Sequence, residues 1–414
     1  MLYFLLFIIL CLAFIALPNS KINVQVIRIK RYFFPCLIFI FLILLVVFSK
    51  SSFNSAHKAF MLWVNNVVPS LFPFFIGIEL IKRTNFLELI GKMLEPIMRP
   101  LFNIPGCGAF ALAMGLSSGY PVGAKIVSSL REQKLCTKTE AERLLAFCNT
   151  SGPLFIVGSV GVSMFGNSRI GLMLLLTHFL AAITVGLLFK NYHKNSSSSN
   201  IIAQKSNSAN KKAIFRLRNL GALMGESIKS SVNTLLLICG YIVFFAVLGE
   251  VFENTGILSY LKLFIERFLT VFDIPLVCSS GILKGILEVT SGVKELSSLN
   301  TITYIKLLSV IAFILGFGGF SVHMQTCSII ADTDISMKPY FLGKFLHGAF
   351  ASIYSYLIMK YTNFFNWDVV ETFSYSFSNT YPAAQSSNLF LVILTTLLII
   401  GICLRLFNNQ KQKE

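Results

Sequence analysis

Asn103-Ile104-Pro105 returns 170 residues later as Asp273-Ile274-Pro275. From there the echo holds at a constant 169: Gly123 and Lys125 return as Gly292 and Lys294, Arg169 as Lys338, His178 as His347. Sparse Gly, Pro and charged positions recurring over so long a period mark two weakly similar halves. The chain is therefore expected to fold one plan twice.

Both halves are dominated by apolar runs. Residues 59–81, 144–165, 170–189, 232–251, 305–330, 339–359 and 389–404 are near or within the roughly 17–25 residues that cross a bilayer as a helix. The runs 35–48 and 2–17 are shorter. Hydrophobic residues make up 55% of the chain, 40 residues are Phe, and only 13% are charged, too few to clothe the exterior of a water-soluble fold. The expected fold is an all-α polytopic membrane protein.

A net charge of +17 raises the question of nucleic acid. The basic residues fall instead into short connecting segments: Lys21, Arg28, Lys30 and Arg31; Lys82, Arg83, Lys92 and Arg99; Arg131, Lys134, Lys138 and Arg143; and the stretch from Lys190 to Arg218. That is positive-inside patterning, and no nucleic-acid partner is expected. The nine cysteines are scattered with no Cys-x-x-Cys pair and read as small buried hydrophobes. Residues 1–17 resemble a signal h-region but lack a basic start and a small-x-small cleavage site, so an uncleaved first helix is expected.

Residues 195–212 are rich in Asn, Ser and Lys, a composition that cannot bury enough surface to fold. This flexible cytoplasmic linker divides the chain. The organisation read from the sequence is 1–54 as N-terminal hydrophobic helices with a basic loop, 55–190 and 219–360 as the two halves, and 191–218 as the linker. Residues 361–386 form an extracytoplasmic loop and 387–414 a last helix with a basic tail.

Each half contains a Gly/Ser-rich segment broken by Pro, 105–130 and 275–298. If both dip into the membrane and return on the same side, the linker falls in the cytoplasm together with Lys82, Arg83, the stretch from Arg131 to Arg143 and the tail Lys411 and Lys413. If 105–130 spans, the linker faces out, against the positive-inside rule. Two inverted repeats, each with a re-entrant helical hairpin, satisfy the rule. Irregular backbone at that depth requires a protein-packed or polar-lined setting, which points to a substrate cavity.

The candidate lining follows from these breaks. Ser117, Ser118, Gly119, Tyr120, Gly123 and Lys125 lie in the segment Gly115–Lys125, where Gly and Pro interrupt the helix and bare amides offer donors to an anion. A turn between helices is the plain alternative. Asn149, Thr150 and Ser151 precede Gly152-Pro153 in mid-span and interrupt a second helix; helix packing is the alternative. The second half offers Glu288, Thr290, Ser291 and Lys294, and then Ser321, His323 and Gln325 behind three glycines. Ionisable groups inside spans mark pathways, proton relays or counter-ions. Glu288 and Lys294 have the alternative of neutralising each other. His323 suits proton coupling or a plain buried hydrogen bond, while His178 and His347 read as helix-packing groups.

No phosphate loop, His-Glu-x-x-His motif or Gly-x-Ser-x-Gly elbow occurs. No enzyme activity, cofactor or metal is expected, and movement of a solute would draw on an ion gradient, of protons or sodium, or on the solute's own. The sequence leaves the oligomeric state open, a homo-oligomer included.

GLSSGYPVGAK (115–125), TEAERLLAFCNTSGPLFIVGSVG (139–161) and GFGGFSVHMQTCSIIADTDISMKPYFLGKFLH (316–347) resemble the YlbJ family of sporulation integral membrane proteins, within the wider Gate (nucleoside-recognition) group. The resemblance covers about residues 55–360. It implies a plan similar to concentrative nucleoside transporters, with substrate between two re-entrant hairpins and two unwound helices. Here these are 117–125 and 288–294, and 149–153 and 318–325. It also implies movement of dipicolinic acid across the outer forespore membrane. A small dicarboxylate suits Lys125, Lys294 and backbone amides; Glu288 fits less well. A nucleoside or other polar solute, or a non-transporting scaffold, are the alternatives.

Overall fold

The computed structural model describes residues 24–82, 86–193, 220–299 and 302–361. Among these residues every regular element is helical. The expected runs 2–17 and 389–404, the linker 195–212 and almost all of 361–386 lie outside them.

Helix α1 (Val24–Val47) meets α2 (Ser49–Leu62) at a bend of 97°. A π turn, Trp63–Val67, carries α2 into α3 (Val68–Lys82), so the expected 59–81 run is part of a longer helical path. Helix α4 (Phe86–Phe102) follows, with Pro96 and Pro100 in its second half. The chain then turns at Asn103, whose φ of 54° is left-handed, a region Asn tolerates better than most residues. Two short helices come next, α5 (Gly108–Ser118) and α6 (Val122–Glu132). After them stand α7 (Lys138–Cys148), a π helix over Leu154–Met164, and α8 (Ser168–Phe189).

The second half runs through α9 (Leu220–Asn254) and α10 (Ile257–Val271) to Asp273, with φ 53°. A single 3-10 turn, Leu276–Cys278, then leads into α11 (Ser279–Leu287), α12 (Val289–Ser297), α13 (Tyr304–Phe317), α14 (Gly319–Ile330) and α15 (Met337–Tyr361). The left-handed turn thus falls at the Asn/Asp-Ile-Pro step of both halves.

Among the described residues three helical stretches are long and apolar enough to cross a membrane: Ser168–Phe189, Gly221–Asn254 and Tyr304–Ile330. They contain the expected runs 170–189, 232–251 and 305–330. Residues 144–165 are not one span, because α7 stops at Cys148 and the π helix begins at Leu154. On α8, Leu172, Leu176, Leu180, Ile183 and Leu187 stand exposed at helical spacing, the stripe expected to face lipid. Its other face buries His178 among Thr177, Ala181, Ala182 and Val185, the threonine and alanines small enough to bring a second helix close.

That second helix is α15, which also packs on α7 and α13. The arms of each short helix pair meet at glycines. A Cβ on Gly115 would lie 3.5 Å from the Gly123 Cα, and one on Gly292 only 2.2 Å from the Gly285 Cα. In addition, α6 touches α14 and α12 touches the π helix, so each pair's second arm reaches the broken helix of the other half. Arg143, fully buried, fastens the first half: its guanidinium donates to the Tyr192 carbonyl at 2.6 and 2.8 Å and to the Asn103 carbonyl at 2.8 Å.

Candidate functional site

Four interruptions of helix converge. In the first half α7 ends at Cys148, and Asn149-Thr150-Ser151-Gly152 run non-helically to Pro153. The tip between α5 and α6 has Gly119 at φ 86°. A Cβ there would stand 2.5 Å from the Gly152 nitrogen, so tip and break touch backbone to backbone, a contact open only to glycine. In the second half Glu288 is the extended residue between α11 and α12. Gly318 and Gly319 break α13 from α14 with successive φ values of 90° and 70°. A Cβ on Gly319 would lie 2.9 Å from the Gly285 carbonyl oxygen, which seats this break on the second pair.

These pieces bound a cavity of about 810 Å3. Ser117, Ser118, Gly119 and Tyr120 line it from the first tip, Gly152 from the first break, Glu288 and Thr290 from the second tip, and Ser321 and Gln325 from α14. Asn65, Ser159, Ile238 and Ile242 complete its walls, with His57, Lys58 and Lys294 among the lining. His57, Lys58 and Lys294 are exposed, which puts them at the mouth. Among the described residues neither lysine has an acidic partner.

Behind the wall lies a buried polar network. The Asn149 amide donates to the Thr326 hydroxyl at 2.9 Å and to the Tyr340 hydroxyl at 3.3 Å, joining the first break to α14 and α15. Tyr340 also meets the His323 Nδ1 at 3.2 Å. The Thr150 hydroxyl donates to the Gly115 carbonyl at 2.9 Å. The Ser151 backbone N–H donates to the His178 Nε2 at 3.0 Å. Lys344, fully buried, donates to the Asn149 carbonyl at 3.1 Å and contacts the His347 Nδ1 at 3.3 Å. His347 Nε2–H in turn faces the His178 carbonyl at 2.9 Å.

Several expectations change. Lys125 does not line the cavity. Its ammonium pairs with Glu79 at 2.8 Å, donates to Thr234 at 2.8 Å and sits over the Phe75 ring, so it is a paired cation held between α3 and α9. Glu288 and Lys294 do not neutralise each other. The Glu288 carboxylate caps its own helix, accepting from the Thr290 and Ser291 amides at 3.0 and 2.8 Å and from the Ser291 hydroxyl at 2.8 Å. Gly123 is a packing glycine, its missing Cβ vacating a position 2.4 Å from the Cys148 carbonyl oxygen. His178 and His347 do more than fill space, since each hydrogen-bonds within the network. Gln325 donates to Ser321 along α14 at 3.3 Å.

Sequence reasoning passed over Glu79, Thr326, Tyr340 and Lys344. For Lys344 a signal existed: a lone cation within the apolar run 339–359 is costly in a membrane and marks function by default.

Apolar spans, a stripe of exposed Leu and Ile and an open cavity of mixed polar and apolar lining, built from broken helices, define a polytopic helical membrane protein with a solute-sized chamber. Residues 64–168 match the family described as Gate, nucleoside recognition. The chain is 35% identical over 320 residues to the sporulation integral membrane protein YlbJ of Bacillus subtilis (strain 168), covering 75% of this chain and 78% of that relative. It belongs to the YlbJ family of sporulation integral membrane proteins. No solved structure matches it.

Proposed function

We propose that this sporulation membrane protein is a secondary carrier for a small anionic metabolite, with dipicolinic acid the solute expected from the family resemblance. The observation that carries the reading is the shared cavity: both tips, the first break and the helix that follows the second break contribute to one chamber, an arrangement suited to a solute at the junction of two halves. On this reading the halves are inverted repeats. The helix pairs are re-entrant, the plan resembles that of concentrative nucleoside transporters, and the site of action is the outer forespore membrane. The cavity's charges support an anion. Lys58 and Lys294 lie at its mouth, while the one carboxylate of its wall, Glu288, is already held by two amides and a hydroxyl.

A nucleoside is the second reading, favoured by the description of the matched family and by the amide and hydroxyls of Gln325, Ser321, Ser117 and Thr290 along the wall. Uptake into liposomes containing the purified protein separates the two. Saturable dipicolinate uptake, weakened by Lys58→Ala with Lys294→Ala and lost in Asn149→Ala, is the expected result. Nucleoside uptake in its place reverses the choice of solute. Inertness toward both, under imposed proton and sodium gradients, moves the protein to a scaffolding role.

A further inference from the structure

We propose that Asn65, in the π turn between α2 and α3, is a solute-binding residue of the chamber, and that the solute it meets is built on a flat heteroaromatic ring. The inference deepens the carrier reading by naming the class of solute, and rests on that reading for the use of the chamber as a solute site.

The lining of the chamber divides by element. The tips and α14 supply Ser118, Glu288, Thr290, Ser321 and Gln325, all polar. The helices α2, α3 and α9, with the π turn, supply Met61, Leu62, Val67, Leu71, Ile238 and Ile242, all apolar. Among the described residues Asn65 is the only polar side chain those helices and their turn add, apart from His57 and Lys58 at the mouth. A solute held there meets hydroxyls, an amide and a carboxylate from one set of elements and aliphatic carbon from the other. A flat ring with polar groups on its edge satisfies both. A polar aliphatic solute leaves the apolar lining uncovered and gains nothing from it.

The backbone singles out the same residue. Two π segments occur among the described residues, Trp63–Val67 and Leu154–Met164, and both border the chamber. Such segments widen the coil by one residue and are frequent at functional sites. The widening shows in the lining: Leu62 to Val67 is a step of five, against four from Lys58 to Leu62 and from Val67 to Leu71. Asn65 lies inside that widened step. The turn is pinned without its help, because the Trp63 indole N–H donates to the Leu235 carbonyl of α9 at 3.1 Å.

The Asn65 side chain is exposed, and among the described residues its amide has no hydrogen-bond partner. Ser118, on the first tip, is only 8% exposed, yet its Oγ has no partner among the described residues. Two polar groups from different elements are thus left open toward one space. An amide donates and accepts, so Asn65 can read the edge of a pyridine carboxylate or of a nucleobase.

Thermal unfolding of the detergent-purified full chain, followed against dipicolinate, uridine and glutarate, tests the assignment. Glutarate carries two carboxylates and no ring, and the concentration dependence of the midpoint gives each Kd. Dipicolinate or uridine is expected to stabilise the wild type, and glutarate to leave it unchanged. Asn65→Leu is expected to keep the unliganded midpoint and to weaken the Kd of the ring-bearing solute by about fivefold, the worth of one hydrogen bond. An unchanged Kd in Asn65→Leu overturns the proposal, whether or not the unliganded midpoint falls. Glutarate binding as tightly as the ring-bearing solute overturns it as well. If Asn65→Leu fails to fold, Asn65→Ala decides by the same comparison. Binding with no uptake into liposomes overturns the carrier reading and leaves Asn65 in place, whereas binding of none of the three solutes overturns both.

Discussion

The imidazole of His347 lies against that of His178, ring centroids 4.3 Å apart, with its Nε2 2.9 Å from the His178 carbonyl oxygen. The two residues hold equivalent places in the recurring pattern, 169 positions apart. Their contact sits where α8 and α15 cross, and it connects to the first break through Ser151 and to Lys344. Equivalent positions therefore meet at the one point from which both halves of the polar network can be held.

His178→Phe is expected to destabilise the protein by about 2 kcal/mol, the cost of leaving the buried Ser151 N–H without its acceptor. His347→Phe should cost a similar amount. Because both serve one network, the double variant is expected to lose less than the sum of the two. Denaturant unfolding in detergent micelles measures all three.

Gly115→Ala is expected to abolish a folded site, since its Cβ would fall 1.8 Å from the Cys148 carbonyl oxygen, backbone that cannot step aside. Gly77→Ala is the control. Nothing lies within 4 Å of the added atom, and alanine in a helix gains up to about 1 kcal/mol over glycine. Yield and thermal stability of the two purified variants should diverge sharply.

Glu79→Gln and Lys125→Ala are each expected to cost about 3 kcal/mol, because each strands a mostly buried charge. The pair is 2.8 Å apart, with the two side chains 8% and 14% exposed. Removing both partners should cost no more than removing one, so a double-mutant cycle is expected to return a large coupling. Additive losses would show that Lys125 serves the solute path and not the Glu79 pair.

Asp334, in the turn after α14, receives the Arg131 guanidinium on both oxygens at 2.8 and 2.9 Å. Arg131 holds its carboxyl below the usual range. A depressed carboxyl stabilises the fold fully above its unfolded value and loses that contribution as pH falls through the folded one. Unfolding midpoints should therefore drop less toward acid in Asp334→Asn than in wild type. The effect is small, because the pair is half open to solvent.

The breaks were legible because Gly and Pro have few uses inside an apolar helix. Gly119, Asn149–Pro153 and Gly318 declare themselves against runs of Leu, Ile and Phe, and of these Gly119 and Gly152 line the cavity. Partnership was not legible. Lys125 and Lys294 stand at matching places in the two halves, yet one finds Glu79 on α3 and the other stands exposed at the mouth. Only tertiary packing distinguishes them. Lys344 could be flagged as a lone cation in an apolar run, but a helix apolar on most sides gives no sign of which face meets protein, so its partners could not be read.

Glu288 has a last consequence. Because the start of its own helix holds its carboxylate and offsets part of the charge, attraction of an anion is left to Lys58 and Lys294 at the rim. Rim charges act through electrolyte, whose screening length is about 8 Å at physiological ionic strength. On the carrier reading the protein sorts its cargo at the doorway, and the salt content of the compartment that doorway faces becomes a dial on the rate of loading.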